Sequence, residues 1–240
     1  MSRPRVVLVP GFTQTARSWA GAAEVVSETC DVHALDVPEP TTFAATAHAI
    51  GRAGGRSVYV GYSMGGRLCL RLAIERPDLV HALVLVSASP GIPDDRERAQ
   101  RREADEALAE SIEHDGVDAF LARWLAQPMF ATVPAGAPGL ADRSRLTVDY
   151  LAASLRRLGA GAMDPMWDDL PKLTMPVLLV TGTLDDKYTV IARRMLERVH
   201  PGVEHVELPG GHALPLEQPA ALGRLIAAFT AEHGPAAAAG

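Results

Sequence analysis

The chain has 240 residues, 48% hydrophobic and 22% charged, with a formal net charge of -6 at pH 7. That is enough for one domain with a full core, or one domain with an inserted lid, and the acidic balance gives no reason to expect nucleic acid or an anionic membrane as partner. No apolar run approaches the roughly 20 residues of a membrane span, Met1-Ser2-Arg3-Pro4-Arg5 is not a signal-peptide pattern, and the two cysteines, Cys30 and Cys69, form no CxxC or metal cluster and read as reduced thiols of a cytoplasmic protein.

Residues 5–9 (Arg-Val-Val-Leu-Val) read as a buried strand, broken by Pro10-Gly11-Phe12-Thr13. A helix follows over about 17–28, then a strand over 31–36 that Pro38 and Pro40 end. A helix of small residues runs from Thr42 to Arg52, closed by Gly54-Gly55. The strand 57–62 leads into Ser63, and the helix after it stops at Arg76-Pro77. Residues 82–87 form the next strand. Between about 92 and 170 the alternation gives way to charged helical segments at 94–116, 117–127 and 141–158. It returns with a strand at 176–182, a helix over 188–199, a strand at 203–208 and a last helix carrying Leu222, Leu225, Ile226 and Phe229. The expectation is an α/β fold: a mostly parallel sheet of about six strands with helices on both faces. Residues 1–91 and 171–233 would make the core, 92–170 a helical cap over the sheet's carboxyl edge, and 234–240 a disordered tail.

The chemistry concentrates at Val58-Tyr59-Val60-Gly61-Tyr62-Ser63-Met64-Gly65-Gly66. A short β-branched run ending in Gly-x-Ser-x-Gly and followed at once by an apolar helix is the sequence form of a nucleophile elbow. The turn lifts the serine hydroxyl off the sheet at a helix N-terminus, where developing negative charge is favoured. A serine needs a base to take its proton. In a parallel sheet that base, and the carboxylate holding it, come from carboxyl ends of strands. Asp185 follows the strand 176–182, and His212 follows the strand 203–208 in a Gly-Gly-His turn. The order Ser63, Asp185, His212 suits this arrangement. Asp186 competes for the acid role, but the spacing Gly182-x-x-Asp185 favours Asp185. The remaining histidines lie in helices, in the tail, or in and beside strands without a nameable partner. Backbone amides for an oxyanion are expected at Met64, after the serine, and at Phe12, in the loop after the first strand.

These residues resemble the α/β-hydrolase superfamily over roughly 5–230, and within it the family of 2-succinyl-6-hydroxy-2,4-cyclohexadiene-1-carboxylate synthases of menaquinone biosynthesis. Gly61-Tyr62-Ser63-Met64-Gly65-Gly66-Arg67 is similar to that family's elbow. Ser89-Pro90-Gly91-Ile92 with Glu97-Arg98-x-x-Arg101-Arg102-x-x-Asp105-Glu106 resembles the start of its cap. Phe120-Leu121-x-x-Trp124-x-x-Gln127-Pro128-x-Phe130 and Leu151-x-x-Ser154-Leu155-Arg156-x-x-Gly159-x-Gly161 are similar to later cap segments. Asp185-x-Lys187-Tyr188 and Gly211-His212-Ala213-x-x-x-Glu217-x-Pro219 are similar to its acid and histidine motifs. The resemblance implies a lyase in which the serine acts as a base and pyruvate leaves by elimination, with no acyl-enzyme. It implies no metal or organic cofactor.

The substrate so implied is a small molecule with several carboxylates, handled by a monomer or homodimer. Arg67, one turn past Ser63, is the first candidate to bind it, and Arg98, Arg101 and Arg145 are candidates in the cap. Tyr62 and Trp124 would line the pocket. The arginines near Glu97, Glu103, Asp105 and Glu106 could instead be a solvated helix face, and Tyr62 and Trp124 could be core. Four departures surround the substrate: Pro10 stands in place of a histidine, Val37-Pro38-Glu39-Pro40-Thr41 replaces a Leu-Pro-Gly-His-Gly run, Leu125 replaces an aromatic, and Pro215 stands where some members have a second histidine. An esterase or thioesterase with the same three residues is the alternative, and a non-catalytic small-molecule receptor on this fold is a third.

Overall fold

The computed structural model describes residues 3–234. The tail expected to be disordered lies, apart from Gly234, outside the described residues.

Six strands form the sheet: β1 (Arg5–Val9), β2 (Asp31–Ala34), β3 (Ser57–Tyr62), β4 (Val80–Val86), β5 (Val177–Gly182) and β6 (Val203–Leu208). Their order is β2-β1-β3-β4-β5-β6, and every neighbouring pair is parallel. The four inner strands are buried almost throughout, whereas the edges are half-exposed and carry Asp31, His33, Glu204 and Glu207. That contrast explains why the inner strands read as continuous apolar runs: both of their faces are covered.

Side chains alternate across the sheet. Val7, Val9, Tyr59 and Leu83 pack under α2 (Phe43–Gly54), α3 (Met64–Glu75) and α7 (Asp186–Leu196). Val6, Leu8, Val58 and Val60 pack on the other face, under α1 (Ala20–Ser27) and α9 (Pro219–His233). Caps start several helices: Thr42 Oγ1 accepts from the Ala45 amide at 3.2 Å, and Asp94 Oδ1 from Glu97 at 2.8 Å.

Between β4 and β5 the chain forms α4 (Asp95–Asp115), α5 (Val117–Leu125) and α6 (Val148–Leu158). These helices share their own apolar cluster, which includes Ile112, Phe120, Leu151 and Leu155, with Phe12 from the β1 loop packed against it. The single helix expected over 141–158 is broken in two. A 3-10 turn at Ala141–Arg145 ends in extended Leu146, and Thr147 Oγ1 accepts from the Tyr150 amide to start α6. The strand expected to reach residue 36 ends at Ala34, because Asp36 Oδ1 instead accepts from the Ala16 amide at 2.6 Å and turns the chain.

The direction in which successive strands are added reverses at β1, which lies between β2 and β3. Such a switch opens a crevice at the carboxyl ends of the strands. The register Val9↔Gly61 brings the loop after β1 level with the turn after β3, so Gly11-Phe12 and Ser63 meet there.

Candidate active site

Ser63 sits between β3 and α3 with φ 50° and ψ -109°, in the left-handed region that a side chain rarely adopts. Tertiary contacts hold it there. Its amide donates to Val86 O at 2.9 Å, and its carbonyl accepts from the Arg67 amide at 3.1 Å. Gly61 and Gly65 are required by close approach rather than by φ. A Cβ on Gly61 would lie 2.5 Å from Gly66 Cα, and one on Gly65 would run into the carbonyl oxygens of Val9 and Pro10. The Ser63 hydroxyl caps no helix amide, so it remains available to the crevice.

His212 Nδ1 lies 2.8 Å from Asp185 Oδ2, and its Nε2 lies 3.2 Å from Ser63 Oγ. An ionised carboxylate only accepts, so Nδ1 carries the proton and Nε2 is left to accept from the serine hydroxyl. His212 is 3% exposed and Asp185 9%, while Asp186 faces solvent. Aromatic rings enclose the imidazole: Tyr188 at 4.5 Å between centroids, Tyr62 at 5.4 Å and Phe130 at 6.4 Å. Burial pushes the phenols of Tyr62 and Tyr188 up, so both stay neutral.

Among the described residues, the amides of Phe12 and Met64 donate to no protein acceptor. Both residues line the cavity beside Ser63. Gly11 lets the Phe12 backbone lie against Tyr62, where a Cβ would come within 2.7 Å of the ring.

The cavity has a volume of about 520 Å³ and lies between the strand ends and the helical insertion. Its cationic groups are Arg67, Arg101 and Lys187. Arg67 donates to Leu158 O at 2.8 Å, and burial pushes it down to about 10, so it stays cationic at neutral pH. Arg101 Nε donates to Asp105 Oδ1 at 2.8 Å, and Asp105 is 2% exposed. Tyr62 and Trp124 also border the cavity, and Trp124 Nε1 is buried without a partner among the described residues.

Two expected contacts are absent from the cavity. Arg98 folds back at the start of α4, donating to Ile92 O at 3.0 Å and pairing with Asp95. Arg145 points outward, 81% exposed, beside Asp142. Arg143, two residues earlier on the same 3-10 turn and so on another side of it, faces inward instead. Arg143 is 1% exposed, donates to Thr13 Oγ1 at 2.8 Å, and leaves Nε and Nη2 without partners among the described residues. Sequence reasoning gave no site role to Arg143, nor to Lys187 and Tyr188, which it named only within the acid motif. The last two follow Asp185 directly and open α7 beside the crevice, a signal that was available. Nothing local distinguishes Arg143 from Arg145. The altered run after Asp36 is tied to the insertion, Tyr150 Oη donating to Val37 O at 3.0 Å and Arg157 Nη1 to Pro40 O at 2.6 Å.

None of the helices among the described residues is long and apolar enough to cross a membrane. Comparison with known proteins finds a Bacillus subtilis protein named "Putative 2-succinyl-6-hydroxy-2,4-cyclohexadiene-1-carboxylate synthase", 33% identical over 175 residues, covering 71% of this chain and 64% of that protein. The Salmonella newport 2-succinyl-6-hydroxy-2,4-cyclohexadiene-1-carboxylate synthase is 29% identical, covering 67% of this chain and 63% of its own. The match to each thus spans just under two thirds of the relative's length. Among solved structures, MenH from S. aureus superposes with a TM-score of 0.89 at 24% identity, covering 97% of this chain and 95% of that one, a likeness of fold. The model of the alpha/beta hydrolase family matches residues 6–225. The chain is a member of the α/β-hydrolase family.

Proposed function

We propose that this protein is a lyase that eliminates pyruvate from a polycarboxylated cyclohexene, with Ser63, His212 and Asp185 as its catalytic residues and residues 92–170 as a cap over the site. The observation that carries the reading is the relay of the three side chains opening into a cavity with Arg67, Arg101 and Lys187 on its walls. Cationic groups so placed suit a substrate with several carboxylates. The names of the relatives point to the same reaction.

In this mechanism His212 accepts the hydroxyl proton as Ser63 Oγ removes a proton from a ring carbon. The C–H electron pair enters the ring π system, the C–O bond to the leaving group breaks, and pyruvate departs as its enolate to be protonated. Charge that develops on a carboxylate or enolate oxygen is met by the amides of Phe12 and Met64. Asp185 keeps the imidazole in the required tautomer. Trp124 Nε1 supplies a further donor for a substrate oxygen.

The test is pyruvate release from the menaquinone-pathway precursor, with Ser63→Ala as control. Ser63-dependent release is expected. The same three residues and two amides also equip an acyl transfer, so a different result is defined in advance. No pyruvate, together with an ester-hydrolysis burst and a trapped acyl group on Ser63, would replace the lyase with an esterase. Tight binding unchanged by Ser63→Ala, with no turnover at all, would make the protein a receptor.

A further inference from the structure

His212 stands in the loop that follows β6. Gly210 and Gly211 precede it, and Gly210 has φ 144°, a conformation reserved for glycine. On one side the loop is tied to the acid's own turn: the Leu184 amide donates to Gly210 O at 2.8 Å, and Gly182 packs so closely on the carbonyls of Gly210 and Gly211 that no side chain fits. That contact fixes Gly210 against the acid's turn and leaves the chain from Gly211 through Ala213 to be set.

The amides of Gly211 and Ala213 are held by one carboxylate. Glu217 closes α8 (Leu214–Glu217) and turns back toward the loop. Its Oε2 accepts from the Gly211 amide at 2.5 Å, and its Oε1 accepts from the Ala213 amide at 2.8 Å. The two amides flank His212 in sequence, and both residues are buried. Each oxygen of the carboxylate takes one of them, so neither amide needs water. Bonds from neutral amides to an ionised carboxylate are short and strong. Together they bridge the Gly210–Gly211 and His212–Ala213 peptide units, which restrains the chain through His212 and therefore the direction in which the imidazole leaves it.

We propose that Glu217 is the positioning residue for His212, locking the imidazole between Asp185 and Ser63 by gripping the peptide on both sides of it. The inference rests on the reading of His212 as the base. Its consequence is functional rather than structural: without the grip the loop still closes, through Gly182 and the α8 turn, but Nε2 no longer sits at 3.2 Å from Ser63 Oγ. Displacements of about 1 Å cost roughly a hundredfold in rate.

The test compares wild type with Glu217→Gln and Glu217→Leu in the full-length protein. Glutamine keeps the shape and one accepting oxygen but turns an NH2 toward the second amide. Leucine accepts from neither. The first readout is the rate of Ser63 labelling by an alkyl fluorophosphonate, in which the Oγ–P bond forms, fluoride leaves and His212 takes the hydroxyl proton. The second is the low-field proton NMR resonance of His212 Nδ1–H, assigned by its loss in Asp185→Asn. The third is the thermal midpoint. Labelling is expected to slow roughly 10- to 100-fold in Glu217→Gln and further in Glu217→Leu, with the resonance broadened or shifted in both. Wild-type labelling and an unmoved resonance in Glu217→Gln would overturn the proposal even if the thermal midpoint fell, because Glu217 would then only brace the fold. Should Glu217→Leu not fold, the isosteric glutamine variant decides. A wild type that shows the resonance but no labelling would remove the nucleophile reading of Ser63 and leave the resonance to decide on Glu217. A wild type with neither would overturn both.

Discussion

Replacing Asp185 by asparagine changes few atoms and removes one charge. In the native arrangement Asp185 Oδ2 accepts from His212 Nδ1 at 2.8 Å, with both groups almost fully buried. In the proposed mechanism His212 takes the serine proton, and an imidazolium forms next to the carboxylate. With the charge centres about 4 Å apart and an effective dielectric near 20, their attraction is about 4 kcal/mol. At about 1.4 kcal/mol per factor of ten, that is roughly a thousandfold in rate. Asparagine adds a second penalty, because its NH2 can turn toward Nδ1 and favour the tautomer that leaves Nε2 protonated. The expected loss for Asp185→Asn is therefore on the order of 10³ to 10⁴ in the rate of Ser63 labelling by a fluorophosphonate. The thermal midpoint should change little, since the side-chain volume is kept. Asp186→Asn, on the solvent side of the same turn, should label within about twofold of wild type. An Asp185→Asn protein that labels within tenfold of wild type, or an Asp186→Asn protein that suffers as badly, would refute the assignment of the acid and the electrostatic argument with it.

Gly65→Ala should destabilise the fold by about 1–3 kcal/mol, because its methyl would meet the carbonyls of Val9 and Pro10; an unchanged urea midpoint would show that the elbow yields more easily than its contacts imply. Arg67→Met and Arg101→Met should each lower kcat/KM for a carboxylated substrate about 10- to 150-fold, the worth of a hydrogen bond to a charged group. Arg98→Met and Arg145→Met, which leave the cavity walls untouched, should stay within about twofold, and a large effect at either would mean that the cap rearranges around the substrate. Arg143→Met should leave the thermal midpoint level or raise it, because a buried guanidinium that is satisfied at only one of its three nitrogens among the described residues is replaced by an apolar chain of similar length. The same variant should slow Ser63 labelling, since Arg143 holds Thr13 beside Phe12; a fall in midpoint with normal labelling would show the guanidinium to be structural.

The elbow was legible because its causes are short-range. Gly61, Ser63 and Gly65 are constrained by backbone approach within a strand, a turn and the first turn of a helix, and that pattern is written in consecutive residues. The sheet was legible for a related reason: strands buried on both faces must be apolar throughout, and those alternating with helices pair in parallel. Asp185 and His212 could be picked from position alone, since each follows a strand whose carboxyl end opens on the crevice. The sequence could not say that Nε2 of His212 reaches Ser63, 149 residues away, since that rests on the packing of the whole sheet. It also could not choose among the arginines. α4 is charged on most faces, and the short stripe of Ala109 and Ile112 in line with Asp105 is too weak to reveal that Asp105 turns inward and draws Arg101 to the cavity while Arg98 folds back on the chain. On one 3-10 turn Arg143 reaches a threonine 130 residues away while Arg145 lies in solvent. Local backbone sterics and burial patterns are properties of neighbouring residues, and the sequence by itself determines them. The direction of a long charged side chain depends on small differences among distant partners, and only the tertiary structure decides it.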